Sequence, residues 1–148
     1  MELSLFAAVF SDGKGASNGL AALRRFHEEG KIRLSASAVL ARNEKGEVVT
    51  TEQETPGAPA AVLGGIVGGL LGLVGGPIVA GMAATAGALS GGWFDVNRAG
   101  ERTRFRDVVA AELASGKAAV LAEAVRPDDS ARAEIRARIT ALGGSVIS

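Results

Sequence analysis

The chain has 148 residues, 16 basic and 16 acidic side chains and no cysteine. The length fits one domain with one insertion, and the balanced charge excludes a global field that draws the protein to nucleic acid or an anionic surface. Without cysteine there are no disulfides, thiolate metal sites or cysteine nucleophiles. The 21 glycines and the shortage of aromatic residues predict that backbones pack closely somewhere in the molecule.

Residues 1–54 predict a β-α-β-β unit, which is the first half of a domain. Leu3–Phe10 is apolar on both faces, as a central strand is. An amphipathic helix follows and ends at Gly30. Residues 32–40 alternate as a second strand, and residues 47–54 return beside it as a short antiparallel strand.

Residues 55–94 form a segment without an ionisable side chain. Its small residues recur at a period of four, which places them on one face of a helix and lets another backbone approach closely. Gly75-Gly76-Pro77 is the expected bend between two such helices, so the segment predicts a glycine-zipper helical hairpin. The residues expected to mediate oligomerisation are Gly64, Gly68, Gly72, Gly76, Ala80, Ala84, Gly87, Ala88 and Gly91.

Residues 95–148 predict an α-β-α-β unit, the second half of the domain. A helix ends at Ser115-Gly116, and residues 117–125 form an apolar strand. A second helix opens at Pro127 and a final strand follows Gly144. Two β-α-β units in one short chain predict an α+β, ferredoxin-like sheet with helices on one face, interrupted by the hairpin.

The apolar hairpin is compatible with three environments. It forms a transmembrane hairpin, a soluble glycine-zipper particle or filament, or a buried hairpin in a monomer. The first arm, at about 25 Å, is just short of a hydrocarbon core of roughly 30 Å. The residues expected to flank a membrane are Trp93, Arg98, Arg102 and Arg104. Trp93 lies where an interfacial anchor is expected, and the arginines place both termini in the cytoplasm by the positive-inside bias.

The sequence offers three candidates for chemistry, each with a simpler structural explanation. Residues 13–19 are glycine-rich between a strand and a helix, but they lack the dinucleotide-binding spacing, so a plain turn is favoured. His27 is the single histidine and has no second ligand for a metal. Asp128-Asp129 fits helix capping better than acid–base catalysis. We therefore expect no catalytic residue, cofactor or metal.

In this order of elements the chain resembles a bacterial family of uncharacterised function, described as predicted membrane proteins, and similar glycine-zipper general stress proteins. The resemblance rests on residues 5–10, on the glycine-rich stretch Gly64 to Gly92 and on residues 141–146. It implies no catalytic residue.

The sequence thus predicts a non-enzymatic assembly protein that is membrane-associated and whose partner is a second copy of itself, with the lipid bilayer as a further partner and no nucleic acid. Two alternatives stay open. One is a cytoplasmic soluble assembly, and the other is a small-molecule sensor domain that the hairpin merely anchors.

Overall fold

The computed structural model describes residues 3–54, 61–74 and 93–147. The elements along the chain are β1 (Leu3–Phe10), α1 (Gly13–Glu28), β2 (Arg33–Arg42), β3 (Val48–Glu54), α2 (Ala61–Val74), β4 (Trp93–Asp95), α3 (Ala99–Ala114), β5 (Ala118–Val125), α4 (Asp129–Ala141) and β6 (Ser145–Val146). The predicted β-α-β-β opening and α-β-α-β ending are confirmed. The short strand β4 was not predicted, because three residues are too few to show a period.

The strands form one antiparallel sheet in the order β3-β2-β5-β1-β4, and β6 also pairs with β1. Strand β5 lies between β1 and β2 and pairs with β1 along its full length, from Leu3 opposite Val125 to Phe10 opposite Ala118. The chain is therefore an α+β protein, as its alternation of elements predicts. β1, at the start of the chain, thus pairs with β5 and β6, near its end.

Helices α1 and α4 cover one face of the sheet. Phe6, Ala8 and Phe10 of β1 point to this face and pack in one cluster with apolar residues of both helices. Each helix begins at an aspartate whose carboxylate accepts a backbone N–H at 2.8 Å, Asp12 for α1 and Asp128 for α4. The capping role expected for Asp128 is confirmed.

Helices α2 and α3 cover the opposite face. Leu5, Ala7 and Val9 of β1 point to it and share a cluster with both helices. The expectation that helices cover a single face is therefore wrong. Both faces of β1 and β5 are apolar, and each needs a layer of helices to exclude water from it.

Candidate functional site

Helix α2 has an apolar side and a glycine side. Leu63, Ile66, Val67 and Leu70 are buried against the sheet and α3. The exposed residues between them are Gly64, Gly65, Gly68 and Gly69, which we call the glycine face. The buried set follows the i, i+3, i+4, i+7 pattern of a helix stripe, so the glycines must point outward.

The space over the glycine face is open. A Cβ atom built on Gly64, Gly65 or Gly68 has no neighbour within 4 Å, and one on Gly69 comes no closer than 3.9 Å to Arg106 Cδ. Within the described part of the chain, therefore, nothing explains these glycines by local crowding. They leave a bare stretch of helix backbone that another chain can touch.

A groove of about 470 Å³ separates the glycine face from α3. Gly65 and Gly69 line one wall, and Arg102 and Arg106 line the other. Arg106 pairs with Asp107 at 3.2 Å between Nη2 and Oδ1. No described carboxylate lies within ion-pair distance of Arg102. One side of the groove is thus formed by uncharged glycines and the other by two arginines.

The amino-terminal turn of α2 rests on a buried acid. Glu123 lies on β5, is 2% exposed and is directed to the face of the sheet that α2 and α3 cover, where the backbone N–H of Leu63 lies near its carboxyl group. Burial raises the pKa of Glu123 above its ordinary value of 4.5, and the Leu63 hydrogen bond opposes this rise only in part. No sequence motif points to Glu123. The one feature of the sequence that could have identified Glu123 is that it is the single carboxylate in an otherwise apolar strand.

The residues predicted for oligomerisation fall in two groups. Gly64 and Gly68 lie on the glycine face, and Gly72 lies on the same helix. The three glycines lie four residues apart along α2. Those outside the described residues are Gly76, Ala80, Ala84, Gly87, Ala88 and Gly91.

The residues predicted to flank a membrane do not form one patch. Trp93 is 2% exposed, and its ring centroid lies 4.9 Å from that of Phe6, so it is a core residue rather than an interfacial anchor. It is buried because β4 adds to the edge of β1 and turns this side chain under α1 and α4. Arg98 is exposed and lies 3.8 Å from Asp95. Arg102 lines the groove.

Arg104, the fourth of these residues, lies over the face of the Phe94 ring, with its guanidinium carbon 5.3 Å from the ring centroid. Its Nη2 is 3.8 Å from Glu101 Oε1. This position makes Arg104 part of the packing between α3 and β4. In residues 3–54, 61–74 and 93–147, no helix has both the length and the apolar character to cross a bilayer.

The other sequence candidates have local structural roles. At the glycine-rich start of α1, the Asp12 carboxylate accepts the Gly15 N–H, which places an anionic group of the chain itself where a phosphate would bind. His27 Nδ1 accepts a hydrogen bond from the Leu34 N–H at 3.1 Å. Both residues stabilise the connection between α1 and its neighbouring strands.

Comparisons with protein-family models, with curated proteins and with solved structures find no match. Function has to be inferred from the geometry of the chain itself.

Proposed function

We propose that the protein is a non-enzymatic assembly protein whose subunits associate through the glycine face of α2. The observation that carries this proposal is the orientation of α2. Its apolar stripe is used against the sheet, whereas Gly64, Gly65 and Gly68 are exposed with open space above them.

The composition of α2 supports a contact of backbone with backbone. Five of its 14 residues are glycine. Each glycine on the exposed side of a helix costs up to about 1 kcal/mol relative to alanine. Glycines four residues apart allow two helices to approach at van der Waals distance. Alanines at the same positions would hold the two backbones further apart.

The occupant of the glycine face is a second copy of this chain. Residues 55–94 carry no ionisable side chain, so two copies of α2 meet without burying a charge. A ridge of small residues packs best on another ridge of small residues, and a second copy supplies one. Arg102 and Arg106 line the groove on its α3 side, beside Gly65 and Gly69, and neither Gly64 nor Gly68 lines it.

The strand order supports a ferredoxin-like core around which this surface is built. β1-α1-β2 and β5-α4-β6 are two β-α-β units. Their strands interleave, with β5 between β1 and β2 and with β1 between β5 and β6. On this interpretation the segment from β3 to α3 is an insertion that covers the second face and displays α2.

The decisive experiment replaces Gly68 by Leu and uses Gly100→Leu as the matched control. A Cβ atom added at either glycine would meet nothing within 4 Å, and both glycines lie in helices, so both substitutions are compatible with the fold. We expect Gly68→Leu to reduce the particle mass to that of a single chain in detergent-free analytical ultracentrifugation. Gly100→Leu should retain the wild-type mass.

Two results contradict the proposal. One is a wild-type protein that is a monomer, and the other is a Gly68→Leu protein with unchanged mass. Circular dichroism melting of each variant verifies that the domain is folded. Flotation of the wild type with neutral phospholipid vesicles provides a direct test of the bilayer as a partner.

A further inference from the structure

Glu123 stands out among the buried groups of the molecule because its surroundings suit a neutral carboxyl group and not a carboxylate. It is paired in the sheet with Leu5 on one side and Ala36 on the other. Leu121, two residues before it, points to the same apolar cluster. The fourth side of this site is the first turn of α2.

The hydrogen bonds of Glu123 are incomplete. The Leu63 N–H is the one donor near the carboxyl group, whereas Oε1 is buried and has no hydrogen-bond partner among the described residues. A carboxylate removed from water needs several donors or a cation, and otherwise costs several kcal/mol. One amide leaves most of that cost uncompensated.

No charged group on the elements around Glu123 is described as a partner of its carboxyl group. α2 carries none, and the side chains that β1 directs to this face are apolar. On α3, Glu101 accepts the Asp95 N–H and Arg104 covers Phe94. Arg42 of β2 donates to the carbonyls of Leu113 and Ala114, and Glu52 of β3 accepts from Ser17. On α3, Arg106 pairs with Asp107 and Glu112 pairs with Lys117, whereas Arg102 lines the groove beside Gly65 and Gly69. Arg33, at the start of β2, is exposed.

We propose that the protonation of Glu123 controls the docking of α2 on the sheet. With the proton bound, the site is neutral and the first turn of α2 covers it. When the proton leaves, the charge can be hydrated only if that turn moves away, because α2 closes the remaining side of the site. The apolar stripe of α2 is short and its helix is rich in glycine, so a buried charge of this cost is comparable with the docking free energy.

The direction of the effect follows from the raised pKa of Glu123. Glu123 holds its proton more tightly when α2 is docked than when α2 is undocked. In the undocked state its carboxyl group has the ordinary pKa near 4.5. Docking is therefore fully favourable below that pH. It weakens as the pH rises, and the loss is complete once the pH passes the pKa of the docked state.

Hydrogen–deuterium exchange of the full chain, read by mass spectrometry, tests the proposal. Protection of residues 61–74 is corrected for intrinsic exchange and followed from about pH 4 to pH 9, the range in which buried glutamates titrate. We expect wild-type α2 protection to fall about tenfold per pH unit above the ordinary glutamate pKa. The fall should level off where the Glu123 carboxyl carbon titrates by NMR, and α2 should be less protected than α4 at every pH, because α2 opens without unfolding of the whole domain.

Two variants make the result specific. Glu123→Gln should keep α2 protected and remove its pH dependence. Glu101→Gln, which changes another acid in the same layer, should keep the wild-type pH dependence. If Glu123→Gln does not fold, coincidence of the wild-type NMR titration with the end of the protection loss decides the question alone.

The proposal is overturned by wild-type α2 protection that does not change with pH, by the same change in Glu123→Gln, or by α2 protection equal to that of α4, because α2 would then open only when the whole domain unfolds. The link to assembly rests on the proposed function, since only a docked α2 presents the glycine face in the orientation described. Particle mass is therefore measured on the same samples. A pH response in a chain that never assembles supports the Glu123 mechanism and contradicts the assembly role.

Discussion

The Phe10 ring meets the backbone of Gly144 so closely that a Cβ at position 144 would lie 2.5 Å from the ring atom Cε2. Phe10 ends β1, and Gly144 follows α4 immediately before β6. The contact therefore ties the two ends of the chain together at one corner of the sheet. Residue 144 is a glycine because the Phe10 ring leaves no room for a Cβ atom there.

Gly144→Ala should destabilise the protein by about 1–3 kcal/mol, because the methyl group overlaps Phe10 and also approaches Ile139 Cγ2 at 2.9 Å. Gly100→Ala is the control, since its methyl group meets nothing within 4 Å in a helix. It should be neutral or stabilising by up to about 1 kcal/mol. Urea unfolding measures both, and equal stabilities would contradict the packing described.

Trp93 should fluoresce as a buried indole in the absence of lipid. It is the sole tryptophan, so its emission needs no deconvolution. We expect a blue-shifted maximum, poor quenching by iodide, and no change when phospholipid vesicles are added. A red-shifted emission that turns blue only with vesicles would restore the interfacial role that its place in the sequence predicts.

Arg104→Ala should cost about 0.5–2 kcal/mol of the free energy of unfolding, because the guanidinium lies over Phe94 and its Nε and Nη2 atoms are buried. Arg102→Ala changes the same residue type two positions away, where no described carboxylate is within ion-pair distance. Its effect should stay within about 0.5 kcal/mol. Thermal melts of the two variants distinguish a packing role from a general effect of charge.

Stability should depend on pH through Glu123. The raised pKa of its carboxyl group means that the folded state holds a proton that the unfolded state releases. Relative to Glu123→Gln, the wild type should be most stable below the ordinary pKa of 4.5, and should lose about 1.4 kcal/mol per pH unit above it until the folded-state pKa is passed. Paired urea titrations at several pH values measure this difference. A wild type that gains stability relative to Glu123→Gln as the pH rises would contradict the prediction.

Local patterns predicted much of the secondary structure. The strand expected at residues 32–40 is observed at Arg33–Arg42, and the one expected at residues 47–54 is observed at Val48–Glu54. Periodicity works here because each strand or helix has consistent exposure along its own length. Periodicity does not predict β4, because three residues are too few to show a period and the strand is stabilised by its pairing with β1.

The candidate site was predicted in part. The spacing of Gly64, Gly68 and Gly72 identifies α2 as a helix that another backbone can approach, and this needs no tertiary information. Spacing alone does not say whether these glycines face the sheet or the solvent. The outward orientation of Gly64 and Gly68 follows from the burial of Leu63, Val67 and Leu70 on the opposite side.

Three features thus follow from the amino-acid sequence without any tertiary information. They are the order of the elements, the absence of charge between Glu54 and Asp95, and the helical period of the glycines. Two others emerge only from the folded chain, namely the burial of Trp93 against Phe6 and the contact of Glu123 with the first turn of α2. The reason is physical, because helical and strand periods are local, whereas both contacts depend on strand order and on which face of the sheet each helix covers.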